Sequence, residues 1–320
     1  MNTFQRYLVD EFTEDYQEQR LTRRDALKLI ASVTGSLLVA ESVLAACTPV
    51  PLEASTEVQP ATPVPEDTQP PTAQEPDASE PVPSPATVAP DDSAIEAGPI
   101  EFAGEGATLM GYLARPSGEG PFPVILVCHE NRGLNPHIED VTRRLVMAGY
   151  VALAVDLLSR QGGSAQVGES NVPGALGNID PMQFVSDFKS GWAYLGEQPF
   201  TDAERVGMVG FCFGGGVTWL MAVEMPELKA AVPFYGPPPP EEDLSRIQAA
   251  VLAIYGELDG RITGTAERIE AAMLANDKIF EKEIYPNADH AFHNDTSSRY
   301  NPEAAMDAWA RTLDWFGRYV

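Results

Sequence analysis

Three residues in the second half of the chain could together carry out nucleophilic catalysis. Cys212 lies in the sequence GFCFG between Gly210 and Gly214, and Asp259 and His290 follow it along the chain. Glycines on both sides of a nucleophile allow a sharp turn between a buried strand and a helix, which exposes the reactive side chain at the sheet edge. A helix N-terminus favours the thiolate, and a histidine oriented by a carboxylate can move the protons. The pattern predicts a Cys–His–Asp group for acyl transfer.

Each member of this group has an alternative. His293 is a rival base three residues after His290, which we prefer because it comes first after a predicted strand. Glu257 competes with Asp259 for the role of the acid. Cys212 itself could be a small buried thiol in a glycine-rich packing turn.

The sequence around these residues alternates between strand and helix patterns from about residue 99 onwards. Short apolar runs bounded by turns predict buried strands: ATLMGYLARP, FPVILVCHE, VALAVD, RVGMVGF, LKAAVPFYG, AAVLAIYGELD and FEKEIYP. Amphipathic segments between them predict helices: HIEDVTRRLVMAGY, DPMQFVSDFKSGWAYLGEQ, residues 214–223, TAERIEAAMLAN and PEAAMDAWARTLDWFGRY. This alternation favours an α/β domain over residues 99–320, with a mostly parallel, doubly wound sheet between layers of helices.

Several motifs in this domain occur in the order typical of one family. They are HENRG at 129–133, DLLSRQG at 156–162, GFCFGG at 210–215, PFYG at 233–236, GELD at 256–259 and DHAFHN at 289–294. On these motifs the chain resembles the dienelactone hydrolase (carboxymethylenebutenolidase-like) family, which uses a Cys–His–Asp triad on an α/β-hydrolase fold. The resemblance implies an enzyme that cleaves a carboxylic ester or lactone through a thioacyl intermediate, without a cofactor or metal.

The resemblance also implies roles for individual residues. Glu130 would help to generate the Cys212 thiolate. The backbone N–H groups of Phe213 and Asn131 would form the oxyanion hole. Arg160 would bind a substrate carboxylate, and Tyr235 would line the site.

One position departs from the family pattern. Asn294 stands where the family's prototype enzymes carry a second carboxylate-binding arginine, and a charged hydrogen bond is worth about 1.5–3 kcal/mol. We therefore expect weak binding of a small anionic lactone, unless Arg299 restores the positive charge. Two other functions stay open: a general carboxylesterase or thioesterase of the same fold, and a non-catalytic, lipid-anchored binding module.

The first 47 residues resemble an export signal. Arg23 and Arg24 precede a modest apolar run that ends in Leu-Ala-Ala-Cys47, which is similar to a twin-arginine signal followed by a lipoprotein box. The resemblance implies lipidation of Cys47 and an extracytoplasmic protein whose only membrane contact is this anchor. An uncleaved anchor is the alternative.

Composition limits the remaining choices. Residues 48–98 hold twelve prolines, ten acidic residues and no Lys or Arg, which predicts a disordered linker. The net charge of −26 disfavours nucleic acid as a partner. The three cysteines form no zinc-binding pattern, and Cys128 is expected to be a core thiol. We expect a monomer that acts on a small molecule.

Overall fold

One sheet of eight strands organises the protein. The computed structural model describes residues 1–46 and 87–320. The strands are β1 (Ile95–Gly104), β2 (Ala107–Pro116), β3 (Phe122–Cys128), β4 (Val151–Val155), β5 (Thr201–Phe211), β6 (Ala230–Phe234), β7 (Ala250–Gly256) and β8 (Phe280–Tyr285). Their order across the sheet is β1-β2-β4-β3-β5-β6-β7-β8. Strands β3 to β8 run parallel, and the β1–β2 hairpin joins β4 antiparallel.

The helices cover the sheet and the edge where its parallel strands end. They are α1 (Thr3–Gln17), α2 (Arg23–Thr34), α3 (Leu37–Ala45), α4 (Pro136–Met147), α5 (Ser164–Val167), α6 (Val172–Gly177), α7 (Pro181–Gly196), α8 (Phe213–Glu224), α9 (Gly260–Thr263), α10 (Ala266–Ala275) and α11 (Pro302–Tyr319). Every residue of β4, β6 and β7 is buried. Continuous apolar strands of this kind need cover on both faces, which explains why the sheet is flanked by helices.

The predicted α/β fold is confirmed. The structure adds helices α1 to α3 and strand β1 before residue 107, and the short helices α5, α6 and α9 after it. Strand β1 begins at Ile95, inside the stretch that the sequence predicts as a linker. Its ten residues pair with β2 in an antiparallel hairpin, so the linker ends before Ile95. Residues 48–86 of the predicted linker, and Cys47, lie outside the described residues.

The first 46 residues fold against the α/β domain as three helices. Asn2 and Gln5 form a reciprocal capping box at the start of α1. Leu8 of α1 and Ile30 and Val33 of α2 are fully buried, and these helices pack against α6. Within residues 1–46 and 87–320, no helix is both long and apolar enough to cross a bilayer.

Candidate active site

Cys212 occupies the turn between β5 and α8. Its φ of 59° and ψ of −119° form a backbone conformation that is rare for residues other than glycine. A Cβ atom on Gly210 would collide with the carbonyl oxygen of Gly214, and one on Gly214 would lie 2.5 Å from the carbonyl oxygen of His129. The two glycines therefore allow the turn to close, and the thiol is held at the carboxyl end of the sheet.

His290 and Asp259 meet beside this thiol. His290 follows β8, Asp259 follows β7, and His290 Nδ1 lies 2.6 Å from Asp259 Oδ2. The same carboxylate group accepts a hydrogen bond from the backbone N–H of Ile262, which fixes it at the start of α9. His290 Nε2 faces Cys212, and the two reactive atoms lie within 4.8 Å of each other. Parallel strands thus bring together three residues that are far apart in sequence.

The alternative acid and base lie elsewhere. The His293 ring is fully buried and stacks on Phe211, with 5.1 Å between ring centroids. Burial, together with the nearby His137 and Arg144, lowers the pKa of His293 to about 3, so its imidazole is neutral. Glu257 accepts a hydrogen bond from the backbone N–H of Asn287.

Burial and charge set the protonation of the candidate triad. Burial raises the pKa of the Cys212 thiol, Glu11 raises it further, and His290 opposes both. Burial alone would lower the pKa of His290, but the charges of Asp259 and Cys212 raise it well above its ordinary value. Burial opposes ionisation of Asp259, yet His290 and Arg261 keep the pKa of that carboxyl lowered. The His290 imidazole thus lies between a carboxylate and a thiol, and the Asp259 charge stabilises its protonated form once it has accepted a proton.

Glu130 and Asn131 follow β3 at the same end of the sheet. Glu130 is buried, and its Oε2 accepts a hydrogen bond of 2.7 Å from Asn294 Nδ2. Its Oε1 is also buried and has no hydrogen-bond partner among the described residues. The charge of Glu130 raises the pKa of the Cys212 thiol, although burial contributes more. Asn294, at the position where the family pattern has arginine, thus binds the carboxylate directly.

The two amides expected to hold an oxyanion flank the thiol. Phe213 is the first residue of α8, so the helix provides no acceptor for its backbone N–H. Asn131 lines the same cavity as Cys212. Both positions are compatible with donors directed at a carbonyl that Cys212 attacks.

Arg160 and Tyr235 occupy other surroundings. The Arg160 guanidinium donates to the Glu105 carbonyl and to the buried Asp187 carboxylate, each at 2.8 Å. Its position after β4 directs it to α7 rather than to the cavity beside Cys212. Tyr235 is fully buried, and its ring centroid lies 5.0 Å from that of His290. Tyr235 thus supports the histidine by packing.

Helix α1 also enters the site, which sequence reasoning did not anticipate. The Tyr7 hydroxyl lies 3.2 Å from Cys212 Sγ and 3.3 Å from His290 Nε2. The Glu11 carboxylate lies 3.8 Å from Sγ and accepts a hydrogen bond from the Asn131 side chain. The apolar spacing of Phe4, Tyr7, Leu8 and Phe12 was a helical signal in the sequence.

A cavity of about 170 Å³ adjoins the thiol, between the α/β domain and the N-terminal helices. Its wall carries both signs of charge, from Glu11, Asp15, Glu130, Arg132, Glu169 and Arg299. The Arg299 guanidinium lies 3.6 Å from Asp15. Among the described residues, the only group of three or more with metal-ligating atoms close together is Glu11, Cys212 and His290, and two of its members belong to the candidate triad.

Comparisons with known proteins agree with this architecture. The family model described as "Dienelactone hydrolase family" matches residues 109–320. A Methylorubrum extorquens protein named "Putative carboxymethylenebutenolidase" is 36% identical over 242 residues, covering 72% of this chain and 83% of its own. A protein of the same name from Escherichia coli K12 is 34% identical, covering 71% of this chain and 89% of its own.

Solved structures give the same result. The "Putative Dienelactone Hydrolase" of Klebsiella pneumoniae superposes with a TM-score of 0.67 at 34% identity, over 71% of this chain and 100% of its own. A dienelactone hydrolase-like promiscuous phosphotriesterase from metagenomic libraries gives 0.61 at 25% identity, over 71% and 99%. The matched sequence, its coverage and the shared fold together place the chain in the dienelactone hydrolase family, as a hydrolase enzyme.

Proposed function

We propose that the protein hydrolyses a small carboxylic ester or lactone through a thioacyl-enzyme on Cys212. The observation that carries the proposal is the hydrogen bond of 2.6 Å between His290 and Asp259, with the thiol held on the adjacent strand-to-helix turn. A general base oriented by a buried carboxylate, next to a nucleophile on such a turn, is the arrangement that acyl transfer requires.

The reaction has two halves. In the first, His290 takes the Cys212 proton, the sulfur attacks the carbonyl carbon, and the amides of Phe213 and Asn131 stabilise the oxyanion. The C–O bond to the leaving group then breaks, and His290 gives the proton to the departing oxygen. In the second half, His290 takes a proton from water, the hydroxide attacks the thioester, and the thiol is regenerated with release of the acid.

Glu130 acts through charge in this scheme. Its buried, unpaired Oε1 belongs to a carboxylate that lines the same cavity as the thiol, and the Glu130 charge raises the pKa of Cys212. Asn294 keeps the carboxylate in place without neutralising it, whereas an arginine would form an ion pair. An anionic lactone would meet Glu130, Glu11 and Asp15 in the cavity wall, and Arg299 already faces Asp15. A neutral ester or lactone is therefore the better substrate.

Intact-protein mass spectrometry with reactive esters and lactones tests the mechanism. The wild-type protein should gain the mass of one acyl group, and Cys212→Ala should gain none. Cys128→Ala is the matched control, because Cys128 is also buried but burial raises its pKa well above the ordinary value. An adduct that persists in Cys212→Ala, or no adduct on the wild-type protein with any ester, would contradict the proposal.

We also propose that residues 1–47 act as a twin-arginine lipoprotein signal and place the enzyme outside the cytoplasm. The support is the Arg23–Arg24 pair, the apolar run and the Leu-Ala-Ala-Cys47 sequence. Labelling with a fatty-acid analogue should mark the wild-type protein but not Cys47→Ala, and replacing both arginines with lysine should retain the protein in the cytoplasm. Cytoplasmic, unlabelled wild-type protein would refute this assignment.

A further inference from the structure

The Tyr7 hydroxyl lies where a leaving-group oxygen must lie. The base that accepts the nucleophile's proton later donates it to the departing oxygen. That oxygen therefore sits within hydrogen-bond distance of the base nitrogen and beside the nucleophile. Tyr7 meets both conditions, at 3.3 Å from His290 Nε2 and 3.2 Å from Cys212 Sγ.

The hydrolase domain supplies the surface that holds the Tyr7 ring. The Arg261 guanidinium carbon lies 4.7 Å from the ring centroid, within the range of a cation–π interaction. Arg261 is two residues after Asp259 on α9, so the segment that orients the base also binds the ring. Tyr7 is only 3% exposed, which shows that this surface and α1 together enclose a phenol.

The acyl side of the site stays open beside the thiol. The cavity of about 170 Å³ is lined by Cys212, Asn131 and His290. An acyl group attached to Sγ can occupy this space while the leaving group lies in the position of Tyr7. Helix α1 thus fills one half of an ester-binding site and leaves the other half empty.

We infer that Tyr7 occupies the leaving-group subsite of the enzyme and that this subsite binds a phenol. Aryl esters with a short acyl chain are therefore the substrate class of the enzyme. The assignment of aryl esters as substrates rests on the proposed thioacyl mechanism. An aryl ester enters when the Tyr7 ring leaves the subsite, so α1 is an intramolecular competitor of the substrate. Burial also raises the pKa of Tyr7 well above its ordinary value, so its hydroxyl stays neutral like a phenol product.

The first test measures phenol binding in the full-length protein. 4-Methylphenol has the structure of the tyrosine side chain, and Tyr7→Ala should bind it about tenfold more tightly than the wild-type protein by calorimetry, because a cavity left by an aromatic ring binds aromatic molecules. Tyr16→Ala is the control, since Tyr16 is a half-buried tyrosine on the same helix. Tyr7→Phe, which keeps the ring in place, should bind no more than wild type. Tyr7→Val serves if Tyr7→Ala does not fold.

The second test places the bound phenol beside the sulfur without requiring hydrolysis. 4-Methylphenol should slow the alkylation of Cys212 by iodoacetamide in Tyr7→Ala and leave the rate in Tyr16→Ala unchanged. If the proposed hydrolysis fails while this protection is seen, the phenol subsite still stands. Equal binding by all variants, or binding without protection of Cys212, would overturn the inference.

The third test concerns specificity. Tyr7→Ala should raise kcat/KM for 4-methylphenyl acetate about tenfold more than kcat/KM for ethyl acetate, because loss of the Tyr7 side chain frees the oxygen position for both esters but only the aryl group can then fill the vacated ring site. An equal gain on both esters would mean that the substitution only loosens α1, and would contradict a phenol subsite.

Discussion

At the residue scale, the candidate chemistry depends on how Asp259 and Cys212 are charged. Asp259 is buried and keeps a lowered pKa because His290 and Arg261 stabilise its ionised form against burial. Cys212 has a raised pKa because burial and the Glu11 carboxylate both disfavour a thiolate. In the resting site, the candidate base His290 is therefore oriented by Asp259, and the candidate nucleophile Cys212 is held as a neutral thiol.

Replacing Asp259 with asparagine should lower kcat by about 10³–10⁴-fold, because His290 would lose both its orientation and the charge that stabilises the imidazolium. Stopped-flow measurement of acyl-enzyme formation checks this. Glu257→Gln is the control, since Glu257 binds the backbone of Asn287 and should leave kcat unchanged. If the two variants behave alike, Asp259 is not the acid that orients the base.

Replacing Glu11 with glutamine should shift the pH dependence of Cys212 alkylation to lower pH. The thiol pKa is raised in the wild-type protein, so the thiolate forms only at higher pH, and removing one nearby negative charge brings that pH down. The rate of iodoacetamide modification, followed against pH, gives the midpoint. Asp10→Asn removes a charge from the exposed face of the same helix and should leave the midpoint unchanged. A midpoint that Glu11→Gln does not lower would rule out this electrostatic role.

At the element scale, the strand-to-helix turn between β5 and α8 decides where the nucleophile lies. Helix α8 approaches β3 so closely that a side chain on Gly214 would contact the backbone oxygens of His129 and Cys128. The contacted atoms belong to the backbone rather than to a flexible side chain, so they have little room to move. The close approach also brings Glu130 and Asn131, at the end of β3, beside Cys212.

The variant Gly214→Ala should therefore lower the free energy of unfolding by about 1–3 kcal/mol, the range expected for overpacking of a rigid core. Urea denaturation measures this. Gly317→Ala is the matched control, because Gly317 lies in α11 with open space at its Cβ position, and alanine there should stabilise by about 0.5–1 kcal/mol. Equal stability of the two variants would show that the turn tolerates a side chain.

At the scale of the whole molecule, the N-terminal helices and the hydrolase domain share one active site. Polar contacts attach α1 around the thiol: Glu11 binds Asn131, and Glu14 lies 3.1 Å from Arg261. Apolar contacts attach it to the domain at a distance from the chemistry, where Leu8 packs towards α6. Removal of residues 1–46 by processing before Cys47 would therefore open the leaving-group subsite.

Weakening this apolar attachment should expose Cys212 without unfolding the domain. Leu8→Ala removes a fully buried side chain and should cost about 2–5 kcal/mol of docking free energy. Alkylation of Cys212 and proteolysis within α1 should both become faster, while the Tm of the hydrolase domain stays unchanged. Leu38→Ala is the control, since Leu38 is 76% exposed. If the domain melts together with α1, the two parts form one cooperative unit and the expectation is wrong.

Local sequence signals determined most of the hydrolase domain. Alternating apolar and amphipathic segments predicted each strand from β2 to β8, because periodicity reports which face of an element is buried. The glycines around Cys212, and the positions of Asp259 and His290 after strands, predicted which residues meet, because parallel strands end at one edge of the sheet.

Only the tertiary structure decided what surrounds those residues. It directed Arg160 to Asp187, joined Asn294 to Glu130, and placed Tyr7 beside a cysteine 205 positions further along the chain. No local pattern encodes such contacts, since they depend on which surfaces fit once the sheet has formed. The sequence by itself determined the candidate nucleophile, its candidate base and the strands that carry them. The packing of α1 against the carboxyl edge of the sheet decided which half of the site is open. The sequence could not show this, because the open half is built from segments that meet only in the folded chain.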